Sequence, residues 1–148
     1  MPPSREYFDN VLDALIGFLP RELRGQNSKS TSRNLKVWYG QSDREHYEVQ
    51  AIGGRGRPRL EVGWHAEHRD RAANDGALQG LLAAEKSWRK KLGVDAEAGR
   101  FIGDAGRIWR RISEVWEGPN LWGPEAAVEA AARLADYVEA LEPARRSR

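Results

Sequence analysis

Apolar and polar residues alternate in two rhythms along this chain, and each predicts its own kind of element. Between residues 46 and 68 the run HYEVQAIGGRGRPRLEVGWHAEH alternates with period two on either side of a Gly/Arg/Pro stretch. Side chains of a strand point alternately to its two faces, so this pattern predicts a β-hairpin with one apolar and one polar face. In the first arm Tyr47, Val49 and Ala51 oppose His46, Glu48 and Gln50; in the second Leu60, Val62, Trp64 and Ala66 oppose Glu61, Gly63, His65 and Glu67. Packing the two apolar sets together gathers the two polar sets on one surface, whatever the register. Gly53, Gly54 and Gly56 supply the connection, and Pro58 limits how far pairing continues. Asn34–Gly40 alternates in the same way, with Leu35, Val37 and Tyr39 on one side and Lys36 and Trp38 on the other. Three strands then form a meander, and Trp38 joins the polar surface.

Helical spacing appears three times. Phe8, Val11, Leu12, Leu15, Phe18 and Leu19 mark a helix over residues 4–19, with Ser4 as N-cap and Pro20 as its end. Leu78, Leu81, Leu82, Trp88 and Leu92 mark a second, opened by a turn at Asn74-Asp75-Gly76 and closed by Gly93. Val128, Ala131, Leu134, Ala135, Val138 and Leu141 mark a third, between Pro124 in its first turn and Pro143. Gly25–Arg33 and Gly93–Gly106 contain little to bury and read as loops. Arg107–Glu117 fits either period; its bounding glycines and its β-branched and aromatic residues favour a strand. The fold expected is α+β: an antiparallel sheet of about four strands with N-terminal, middle and C-terminal helices packed on it. It forms a single domain over 1–148, frayed at 1–3 and 144–148.

Composition narrows the chemistry. At 148 residues, 40% hydrophobic and 31% charged, the chain reads as an ordinary globular protein. No apolar run approaches the ~20 residues that span a bilayer. MPPSREYFDN lacks the basic-then-apolar order of a signal peptide, so a cytoplasmic location and no membrane partner are expected. The absence of cysteine excludes disulfides, thiolate metal sites and cysteine nucleophiles. A net charge of +2, evenly spread, gives no global case for nucleic acid. The local basic groups are Arg55, Arg57 and Arg59 at the hairpin tip and Lys86, Arg89, Lys90 and Lys91 in the last turns of the middle helix. These are the nucleic-acid contacts if the protein makes any, although cations at a helix C-terminus already complement its dipole.

The polar hairpin face holds the candidate chemistry. Neutral imidazole and carboxylate form a ligand set for zinc, manganese or iron, and His46, His65, Glu48, Glu61 and Glu67 share that face. Glu48, Glu61 and His65 form the smallest metal-binding alternative. Paired carboxylates with separated pKa values could instead act as general acid and base. His65-Ala66-Glu67-His68 is not H-E-x-x-H, and on a strand His65 and His68 point to opposite faces. Glu48-Val49-Gln50, with Asp43 or Glu61 as the further acid, resembles the acidic motif of PD-(D/E)xK nucleases with glutamine in place of lysine. GGRGR at 53–57 lacks the Gly-Lys-Ser/Thr of a P-loop.

A polar strand face is ordinarily the solvated side of a sheet. The first expectation is therefore a non-enzymatic interaction module without a cofactor. It would bind a protein or nucleic-acid partner, or a second copy of itself, through His46, Glu48, Gln50, Glu61, His65, Glu67, Trp38 and the hairpin tip. The alternative is a small hydrolase or nuclease that uses a divalent metal on the same face. A second alternative is a small-molecule binder with a pocket between sheet and helix, lined by Tyr39, Trp64 and Trp88.

HYEVQ, LEVGWHAEH, the W-R-R-I segment and ARLADYVEALEP together resemble a group of small bacterial proteins. The resemblance spans about residues 34–143. It implies the order hairpin, helix, strand, helix, and it carries no activity or site assignment.

Overall fold

Antiparallel pairing of the alternating runs organises the chain. The computed structural model describes residues 2–53 and 56–148. In order, these form α1 (Arg5–Phe18), β1 (Asn27–Ser30), β2 (Asn34–Trp38), β3 (Glu45–Ile52) and β4 (Arg59–Ala66). Then follow α2 (Arg71–Leu82), α3 (Glu85–Leu92), β5 (Glu97–Arg100), β6 (Arg110–Glu117) and α4 (Pro124–Arg146). The strands make one antiparallel sheet in the order β1-β2-β3-β4-β6-β5. The architecture is α+β as expected, with six strands in place of four. Gly54 and Arg55, expected at the hairpin tip, lie outside the described residues.

One face of the sheet carries the core. Leu35, Val37, Tyr47, Val49, Leu60, Val62, Trp64 and Ile112 are buried there. The ladder pairs Tyr47 with Trp64, Val49 with Val62 and Leu60 with Trp116. α4 lies against β3 and β4 through small residues, among them Ala127, Ala130, Ala131 and Ala135, and α1, α2 and α3 all contact it. Two buried acids tie this helix to the sheet. Glu142 accepts from the Tyr47 hydroxyl at 2.8 Å and pairs with Arg145 and Arg146. Glu114 of β6 accepts from the Tyr137 hydroxyl at 2.7 Å and from Arg133 at 2.9 Å. No helix among the described residues is long and apolar enough to cross a membrane.

Four expectations need correction. Gly25–Arg33 contains β1, and Gly93–Gly106 contains β5. Both are short edge strands held by backbone ladders, so they bury too little to leave an apolar pattern. The middle helix is two helices, and the first starts at Asp70, whose carboxylate accepts from the Ala72 amide, rather than at Asn74. Asn74 is buried inside α2, where its amide donates to the carbonyls of His68 and Ile108 and its oxygen accepts from the His68 amide. Those tertiary bonds outweigh the low helix propensity of Asn-Asp-Gly. Finally, α4 runs through Pro143 to Arg146, where proline was expected to end it. Arg148 beyond it reaches Glu45 and packs on Gly80.

Gly63 shows how tightly β4 and β6 approach. A Cβ there would lie 2.4 Å from the Ile112 carbonyl oxygen and 2.5 Å from Ser113 Cα, both backbone atoms that cannot swing aside. Gly63→Ala is expected to destabilise the protein by about 2–4 kcal/mol in urea unfolding. Gly17→Ala, in α1 with nothing within 4 Å of its would-be Cβ, should instead stabilise by about 0.5–1 kcal/mol. Equal and small effects at the two positions would contradict this account of the sheet.

Candidate metal centre

The register of β3 on β4 builds the site. His46 stands directly opposite His65, and Glu48 stands opposite Gly63. Glu67 follows the last residue of β4 and its amide donates to the Arg44 carbonyl. Because the strands are antiparallel, Glu48 and Glu67 flank the histidine pair from opposite sides. The sequence states this as two His-x-Glu triplets, His46-Tyr47-Glu48 and His65-Ala66-Glu67, related by the local two-fold of the hairpin. Gly63 offers no side chain opposite Glu48, so that carboxylate can lean across to His65.

The four side chains converge. His46 Nε2 lies 2.8 Å from Glu48 Oε1 and 3.4 Å from Glu67 Oε2. His65 Nδ1 lies 3.0 Å and 3.2 Å from the same two oxygens. One ligand atom from each of the four residues falls within 4.8 Å of all the others. Ligand atoms about 2.0–2.2 Å from one divalent ion are about 3.3 Å apart in a tetrahedral site and about 3.0 Å apart as neighbours in an octahedral one. The four observed edges fit that range.

The remaining nitrogens of both imidazoles are fixed outward. His46 Nδ1 donates to the Asp43 carbonyl at 2.8 Å, and a carbonyl can only accept, so this nitrogen carries hydrogen. His65 Nε2 donates to Glu61 Oε2 at 2.9 Å. Glu61 also accepts from Ser113 Oγ at 2.6 Å and from Gln50 Nε2 at 2.6 Å, and Arg111 in turn donates to Ser113 Oγ at 2.8 Å. In each neutral imidazole the inward nitrogen therefore presents a lone pair to two carboxylate oxygens that are also acceptors. A proton on each ring or a cation among the four atoms resolves that conflict. Outward N–H bonds to a backbone carbonyl and a carboxylate are the supports that orient metal-ligating histidines.

Burial sharpens the electrostatics. His46, His65 and Glu61 are fully buried and Glu48 nearly so. Phe101 lies edge-on to His65 and Trp109 edge-on to Phe101. Burial alone would lower both histidine pKa values, but hydrogen bonds that the imidazoles donate to the surrounding carboxylates and the charge of Glu61 beside His65 raise them, His65 the further. Burial alone would raise the glutamates, yet hydrogen bonds from the two imidazoles outweigh it. Glu48 falls far below the usual carboxylate range and Glu67 falls to about 2.

Of the residues expected on the polar face, the structure brings His46, Glu48, His65 and Glu67 into one cluster and sets Glu61 and Gln50 behind His65. The expected solvation of the face does not hold for the histidines, Glu48 or Glu61. Trp38 is half-buried at its edge. His68 stands apart, paired with Glu45 at 2.9 Å. Asp43 contributes its backbone carbonyl alone to the cluster. Arg57 is exposed and Arg59 half-buried at the start of β4. Lys86 and Lys90 face solvent, while Arg89 donates to the Gly93 and Ala96 carbonyls and Lys91 pairs with Asp136 and Glu139. Tyr39, Trp64 and Trp88 are packed into the core. A cavity of about 580 Å³ lies instead beside Pro3, Ile52, Pro58, Pro119 and Trp122. Asn34, whose amide donates to Glu48 Oε2 at 2.8 Å, Ser113 and Arg111 were not singled out from the sequence. The repeated His-x-Glu triplet was the available signal for narrowing the face to four ligands.

No protein-family model, curated protein or solved structure matches the chain, so the meaning of the site rests on its geometry.

The pKa shifts set a pH profile for the chelator-treated protein. The carboxylate contribution is present above the usual value of 4.5 and is lost as pH falls through the lowered values. The histidine contribution is present below the usual value of 6.5 and is lost as pH rises through the raised values. Melting temperature should therefore peak between about pH 5 and 6.5 and decline on both sides. A melting temperature that climbs steadily through alkaline pH would contradict this arrangement of charges.

Proposed function

We propose that this protein is a metalloprotein that holds one divalent ion between His46, Glu48, His65 and Glu67 and presents it to a small substrate as a Lewis acid. One observation carries the reading. Both imidazoles aim a lone pair at the same two carboxylate oxygens while their other nitrogens are fixed outward. Two imidazoles and two carboxylates suit manganese, iron(II) or zinc. Zinc bound tetrahedrally by all four would be coordinatively complete, whereas a six-coordinate ion keeps two positions for water and substrate. Glu61 would strengthen His65 as a ligand, and Gln50 and Ser113 would hold Glu61 in place for that role. The burial of His46, Glu48, Glu61 and His65 favours an ion over a protein or nucleic-acid partner, because these side chains have no surface left to offer one.

Titration calorimetry of chelator-stripped protein with Mn²⁺ and Zn²⁺ tests the proposal. One ion per chain is expected, and Glu48→Gln and His65→Gln should each weaken binding by at least about a hundredfold. Because the histidine pKa values are raised, ion uptake near neutrality should release protons, and affinity should rise between about pH 6 and 8. No heat from either ion, or binding indifferent to both substitutions, would overturn the reading.

A further inference from the structure

The side of this centre that opens to solvent is basic. The histidine side chains are wholly buried and Glu48 is 4% exposed, whereas Glu67 is 13% exposed. A molecule approaching the ion therefore comes in past Glu67. Lys36 stands at that entrance, 28% exposed, with Nζ 3.9 Å from Glu67 Oε1. Its position on β2 is opposite Glu48, while Glu67 sits beside Arg44, four residues along β3. Lys36 thus reaches from β2 towards Glu67, so its ammonium stands beside the most exposed of the four ligands. On the edge strand, Lys29 stands directly opposite Lys36 on the same face and is exposed.

Like charges placed opposite each other on one sheet face repel. Here a divalent ion would be balanced by the Glu48 and Glu67 carboxylates, and the two lysines would leave two positive charges at the entrance. A dianion fits that excess, where a single carboxylate would meet half of it. Ammonium groups bind phosphate oxygens as point charges.

Building on the metal reading above, we propose that the ion and Lys36, backed by Lys29, receive the phosphoryl oxyanion of a phosphate ester or of free phosphate. One phosphoryl oxygen would take a coordination position on the ion, and another would accept from the Lys36 ammonium.

The test uses Mn²⁺-loaded protein, with bound Mn²⁺ counted by electron paramagnetic resonance in the same sample. Paramagnetic broadening of the ³¹P line then reports whether inorganic phosphate or phenyl phosphate reaches the ion. Broadening is expected, with phosphate affinity at least about tenfold weaker in Lys36→Gln, less reduced in Lys29→Gln and largely restored in Lys36→Arg, at unchanged Mn²⁺ content. Broadening of both probes assigns the ester, and broadening of inorganic phosphate alone assigns free phosphate; either result supports the proposal. Bound Mn²⁺ with a sharp ³¹P line, or broadening indifferent to both lysines, overturns this inference and leaves the metal centre standing. Absence of bound Mn²⁺ overturns both.

Discussion

A slip of one residue between β3 and β4 would turn one strand over, taking either Tyr47 and Val49 or Val62 and Trp64 out of the core and carrying that strand's histidine and glutamate into it. Burying a large apolar side chain is worth about 1.5–3 kcal/mol, and Tyr47, Val49, Val62 and Trp64 are all buried between sheet and helices. The register is therefore fixed by the apolar face, and the polar face inherits it. His46 meets His65 because Tyr47 meets Trp64. The centre does not assemble itself: two carboxylates brought to one point repel, and the imidazoles face them lone pair to lone pair unless a proton or a cation intervenes. The core supplies the free energy that holds these groups together, and the centre supplies the unsatisfied demand for positive charge.

The surroundings are consistent with that division. Asp43 and Glu61 take the outward hydrogens of the two histidines, Asn34 holds the second oxygen of Glu48, and Gln50 and Ser113 hold Glu61. These partners come from β2, β3, β4, β6 and the turn before β3, so the orientation of each ligand depends on the whole centre of the sheet. Gly63 joins the two roles. Its missing side chain admits the close approach of β6 and leaves room opposite Glu48.

Much of this was legible in the residues. Period two gave the hairpin, its two faces and the membership of the polar set, because alternation follows from backbone geometry and needs no tertiary information. The amphipathic stripe of α1, with its Ser4 cap, was legible for the same reason. The edge strands β1 and β5 were not, since Asn27–Ser30 and Glu97–Arg100 are held by backbone hydrogen bonds that leave no trace in side-chain hydropathy. Nor was the start of α2, where buried Asn74 is held by its neighbour His68 and by Ile108, which is distant in sequence. The centre itself was half legible. Its residues were named, but a polar strand face is usually solvated, and only the register, Phe101 packed edge-on to His65, and the partners on β2 and β6 show that this one is enclosed. Ser113 and Arg111 approach across β6, far from the hairpin in sequence, and no local pattern announces them.

The central claim, that His46 and His65 ligate one ion together with Glu48 and Glu67, is tested most directly by X-ray absorption on protein loaded with one equivalent of Mn²⁺ or Zn²⁺. The account predicts a nitrogen and oxygen shell at about 2.0–2.2 Å with the outer-shell scattering of two imidazoles, reduced to that of one in His65→Gln. A spectrum with no imidazole scattering, or one that His65→Gln leaves unchanged, would contradict it.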